Sequence, residues 1–145
     1  MTEIFTTERI RNMTRHLAAI ITAIIIVTPT FALAASPAAP LSTPELKRTI
    51  AAGGKPTLVF FQNPNGGPCK AQKTVLDKLT AQRKGTFNIA SVSTMNQDDQ
   101  RAFYDYGVRS LPSLVLVDKA GKIGRVFSPG IQSLETISSA LDGLK

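Results

Sequence analysis

Thr57-Leu58-Val59-Phe60-Phe61 leads through Gln62 into Asn63-Pro64-Asn65-Gly66-Gly67-Pro68, and Cys69-Lys70 follows. The unbroken β-rich run entered from Pro56 predicts a central strand buried on both faces, because a half-exposed strand would alternate. Asn, Pro and Gly then crowd into a loop. From Cys69 onward Ala71, Val75, Leu76 and Leu79 recur at helical spacing, while Lys70, Lys73, Asp77 and Lys78 take the other faces. An amphipathic helix ending at Gly85 is expected, with the cysteine in its first turn.

Further elements spread from this centre. Upstream, Ser42-Thr43-Pro44-Glu45 reads as a capping box with Pro in the first turn, Leu46, Ile50 and Ala51 share one face, and Gly53-Gly54 supplies the stop. Downstream, Phe87, Ile89 and Val92 predict a second strand. Asn96 reads as a helix cap with Asp98 and Asp99 against the positive helix end, Phe103 and Tyr106 face inward, and Gly107 closes that helix. Ser113 to Val117 and Ile123 to Phe127 flank a hairpin turn at Asp118-Lys119-Ala120-Gly121. A last helix follows Ser133, with Leu134, Ile137, Leu141 and Leu144 inward. The order is α-β-α-β-α-β-β-α, an α/β domain.

The first 34 residues are set apart from that domain. Arg9, Arg11 and Arg15 precede the apolar stretch Leu17 to Val27, and Ala32-Leu33-Ala34 gives a small-x-small exit. This is the pattern of a secretory signal peptide, with cleavage expected after Ala34 and an exported, periplasmic product. Translation from Met13 would give a more usual leader. The alternative is an uncleaved anchor, the one route by which the chain would meet a membrane. Residues 35–41, rich in Pro and Ala, read as a linker, and 42–145 as the domain.

Composition narrows the chemistry further. With 17 Lys+Arg against 10 Asp+Glu the formal charge is +7, yet the cations are spread along the chain. A nucleic-acid surface would need a concentrated basic stripe, so no nucleic acid is expected as a partner. One cysteine excludes an internal disulfide, a cysteine-built metal site and an intramolecular dithiol cycle. The one histidine, His16, falls in the leader. No metal and no cofactor are called for.

Two short motifs then stand out: Gly66-Gly67-Pro68-Cys69-Lys70 between buried strand and helix, and Ser110-Leu111-Pro112-Ser113 just before the next strand. With the element order, they resemble the thioredoxin family, in which Cys-Gly-Pro-Cys-Lys follows the central strand and a cis-proline loop faces it. The hairpin turn Asp118 to Lys122 and the terminal helix agree, and the resemblance spans about Leu41 to Leu144. It implies a thioredoxin fold, a central mixed sheet flanked by helices. It also implies thiol–disulfide chemistry at Cys69, a cis bond at Pro112, and a substrate groove in which the Leu111 backbone meets an extended peptide.

The sequence departs from that family in the site itself. Gly66 stands where the first, nucleophilic cysteine belongs, and Cys69 where the resolving one does. Asn65 replaces a usual tryptophan and Phe60 a buried acid. Ordinary dithiol exchange needs two thiols, so activity is at most that of a single thiol. The first turn of a helix favours a thiolate, burial opposes it, and Gly66 would leave the sulfur more open. Three readings stay open. Cys69 forms mixed disulfides with a protein or small thiol; the fold is a redox-inactive peptide-binding or assembly module; or Cys69 links two copies in a disulfide dimer.

Overall fold

The computed structural model describes residues 35–144. The expected leader over 1–34 lies outside the described residues. Along the chain run α1 (Pro44–Ile50), β1 (Thr57–Gln62), α2 (Gly67–Gln82), β2 (Asn88–Ser93), a 3₁₀ turn (Gln97–Asp99), α3 (Gln100–Asp105), β3 (Ser113–Val117), β4 (Ile123–Val126) and α4 (Leu134–Asp142).

The four strands lie in the order β2-β1-β3-β4. β1 is parallel to β2, as the α2 crossover between them requires, and antiparallel to β3, which pairs antiparallel with β4. The unalternating run in β1 is explained by two cores. Leu58 and Phe60 enter one with Cys69, Leu76 and Leu79 of α2 and Ile137 of α4. Val59 and Phe61 enter the other with Leu46 of α1 and Ala102 of α3. β3 divides likewise, Leu114 and Leu116 to the first, Val115 and Val117 to the second. Each such side chain, once fully buried, stabilises the fold by about 1.5–3 kcal/mol.

Local structure corrects the sequence reading in several places. The cap of α1 is Thr43, not Ser42: its Oγ1 accepts the Leu46 N–H at 3.1 Å, and Pro44 takes the first helical position. Ser42 instead bonds the Asp105 carboxylate. Ala51 lies outside the helix and is exposed. Asn96 does cap its turn, accepting the Asp98 N–H. Asp99, expected against the helix end, is 4% exposed and accepts the Ser93 N–H at 2.8 Å. The linker reading of 35–41 also gives way. Ala38 bridges Lys122, the Ala39 N–H reaches the Gly121 carbonyl, the Ile123 N–H reaches the Pro37 carbonyl, and Ala39 is buried. A segment without periodicity is thus held by its main chain against the β3–β4 hairpin.

Candidate functional site

Phe61 pairs with Ser113 across the sheet, so the loop leaving β1 and the loop entering β3 emerge at the same end. The first loop is tightly turned. The Asn65 N–H donates to the Asn63 side chain at 3.0 Å, and the Gly66 N–H to the Asn63 carbonyl at 2.9 Å. Gly66 is then the cap of α2, with Gly67 and Pro68 leading its first turn. The fixed φ of proline suits that position, so the helix starts two residues before Cys69.

Cys69 is 3% exposed and its Sγ accepts the Asn63 N–H at 3.3 Å. This corrects the expectation of a more open sulfur. A Cβ on Gly66 would lie 3.7 Å from Sγ and only 3.3 Å from the Asn63 carbonyl oxygen. The Asn63–Gly66 turn thus lies directly over the sulfur. Phe60, 2% exposed, sits in the same core as Cys69, so the position of the buried acid is apolar. Lys70 is exposed, and its N–H continues the helix to the Gly66 carbonyl. Lys73 is engaged by Asp77 at 2.8 Å, one turn further on.

The facing loop carries a cis Leu111–Pro112 bond. Pro112 is buried, and Leu111 is half-buried against both cores, including the one that holds Cys69. Among the described residues the Leu111 main chain takes no hydrogen bond. The Pro112 carbonyl accepts the Gly130 N–H at 2.9 Å. A concavity of about 260 Å³ adjoins this loop, with Ser110, Val126, Phe127 and Pro129 among its walls and Cys69 not among them. Gly66, Gly67, Pro68, Cys69, Leu111 and Pro112 therefore gather at one end of the sheet, with the thiol beneath the surface.

One residue of this region escaped the sequence reading. Ala71, expected inward, is exposed, and Gln72 is fully buried instead. Its side chain grips the main chain of Gln132: Oε1 accepts the Gln132 N–H at 2.6 Å, and Nε2 donates to the Gln132 carbonyl at 3.3 Å. The signal was available, because positions 69, 72, 76 and 79 form an inward helical stripe. Glutamine's polarity hid it.

Similarity to known proteins agrees with this geometry. A model of the thioredoxin-like domain matches residues 44–145. Thioredoxin 1 of Nostoc sp. is 28% identical over 107 residues, 74% of this chain and 96% of its own. Thioredoxin of Haemophilus influenzae is 41% identical over 80 residues, 54% of this chain and 68% of its own. Among solved structures, chloroplastic thioredoxin z superposes with a TM-score of 0.60 at 18% identity, over 70% of this chain and 89% of that one. A thioredoxin-like protein from Clostridium perfringens gives 0.58 at 25% identity, over 63% and 72%. With its mixed four-stranded sheet and flanking helices, its Gly-Pro-Cys helix start and the proline loop facing it, the chain belongs to the thioredoxin-like family, whose class of chemistry is thiol–disulfide redox.

Proposed function

We propose that this protein is an exported thioredoxin-fold module that holds an extended segment of a partner protein beside the Leu111–Pro112 loop and runs no dithiol cycle of its own. One observation carries the reading: Cys69 is 3% exposed under a closed loop, with glycine where the attacking thiol belongs. A sulfur that cannot meet a substrate disulfide cannot begin exchange, and no second thiol exists to finish it. The Leu111 main chain, free of internal hydrogen bonds, offers an edge to which an extended peptide can add. The leader-like stretch from Arg9 to Ala34 supports export. The same burial speaks against a disulfide between two copies.

Single-thiol exchange is the second reading, favoured by the Asn63 N–H aimed at Sγ and by the helix start beneath it. Alkylation of Cys69 against pH, native and unfolded, separates the two. We expect native alkylation at pH 8 to be about a hundredfold or more slower than in the unfolded chain, since reaction then waits on opening. A native rate that stays high down to about pH 6 would establish an activated thiolate and single-thiol exchange. In the expected case, Cys69→Ser leaves peptide binding intact.

A further inference from the structure

A fully buried glutamine in a helix stripe is costly unless both halves of its amide are bonded. Leucine at 72 would fill a core position at less cost, yet both polar atoms of Gln72 are used on one target, the main chain of Gln132. That target lies in an irregular segment, from Ser128 to the α4 cap Ser133. The segment has a second anchor two residues earlier, where the Gly130 N–H meets the Pro112 carbonyl. Between the anchors stands Ile131, 52% exposed. One side of this short span is thus fixed to the proline loop and the other to the helix that carries Cys69.

We infer that Gln72 is a positioning residue: its amide fixes the 128–132 segment as a wall of the groove and presents Ile131 to an apolar side chain of the held peptide. This rests on the peptide-holding reading above. Bulk at position 72 is secondary, because the bonds go to main-chain groups whose placement sets the wall.

The test compares the parent, Gln72→Met, Gln72→Glu and Ile137→Val by amide hydrogen exchange and by peptide affinity. Methionine keeps the volume and removes both bonds. Glutamate keeps the shape but turns an oxygen toward the Gln132 carbonyl. Ile137→Val thins the core beneath α4 and serves as a purely structural loss. The probes are two fluorescein-labelled Ala/Ser decapeptides with Leu or Asp at the central position.

In Gln72→Met we expect exchange at Gly130 and Gln132 to rise about tenfold relative to Leu116 of β3, the factor expected for losing hydrogen bonds of ordinary strength. The parent's preference for the Leu peptide should fall with it. Gln72→Glu should leave Gln132 no better protected than Gln72→Met does, and Ile137→Val should change neither ratio. Exchange rising equally at all amides, or a Leu preference untouched in Gln72→Met, would overturn the inference. A parent that binds neither peptide defeats the peptide-holding reading itself, a distinct result.

Discussion

The two faces of the sheet are built from the same strands but do different work. Under α2 and α4 the core sets Phe60, Phe87 and Phe127 apart among leucines and Cys69, and the buried Gln72 side chain reaches the main chain of Gln132. Under α1 and α3 three rings meet. Phe61 meets Phe103 edge-on at 5.3 Å and Tyr106 at 5.2 Å, and the Tyr106 hydroxyl donates to the Pro40 carbonyl at 3.0 Å. On each face a polar side chain thus holds an irregular segment in place. The segment held by Gln72 bonds to the proline loop; the one held by Tyr106 is the entry of the chain into the domain. The difference separates the face beneath the candidate site from the face that closes over the chain entry.

Breaking the ring cluster under α1 and α3 should give the largest effect. Phe61→Ala removes the ring on which Phe103 and Tyr106 converge, and we expect a loss of about 3–5 kcal/mol in urea unfolding. If the faces are independent, native alkylation of Cys69 rises only as far as that lost stability dictates. A larger rise would mean that Phe61 supports the Asn63–Gly66 turn directly, and the division between faces would fail.

Rebuilding the other face should give a smaller effect. In Gly66→Cys the new side chain starts 3.7 Å from the Cys69 sulfur, and the Asn63 carbonyl must yield a few tenths of an ångström. We expect mild oxidation to consume both thiols within one chain and to stabilise the oxidised over the reduced form by about 2 kcal/mol, as chain entropy predicts for so short a loop. Exchange with a protein disulfide should appear in this variant and be absent from the parent. Two thiols that persist after oxidation would mean that the loop does not sit over Cys69.

How much of this was legible follows from what kind of group does the holding. The central strand was legible because Leu58 to Phe61 lack alternation, and burial on two faces is the physical reason a strand can lack it. The Gly66–Cys69 turn was legible because glycine and proline crowd into a loop before a helical stripe, whereas the cis bond at Pro112 followed only from the family resemblance, since X–Pro bonds are mostly trans. Gln72 was not, since a stripe is read by its apolar members and this member is polar. Docking of Pro37 to Pro40 was hidden for a deeper reason: it uses main-chain N–H and C=O groups that every sequence possesses. Thr43 was overlooked beside Ser42, although proline's preference for the first helical position points to the residue before it.

Tyr106 gives the smallest effect and the sharpest signature. Burial, with a smaller contribution from the Asp105 carboxylate, pushes its hydroxyl from 10.0 up to about 12. The native state therefore holds this proton more tightly than the unfolded chain does. The stabilisation is complete below about pH 10 and is lost as pH rises toward about 12, where the native hydroxyl also ionises. Tyr106→Phe keeps the ring against Phe61 and removes only the bond to Pro40. We expect it to cost about 1 kcal/mol near neutral pH, to flatten the fall of stability between about pH 10 and 12 relative to the parent, and to abolish the tyrosinate absorbance step near 12. Exchange at the Ala39 N–H, which bonds the Gly121 carbonyl, should quicken, while Gly130 and Cys69 stay as protected as before. If Gly130 loosened together with Ala39, the entry segment and the groove would be one cooperative unit, and the two faces would have to be treated as a single device.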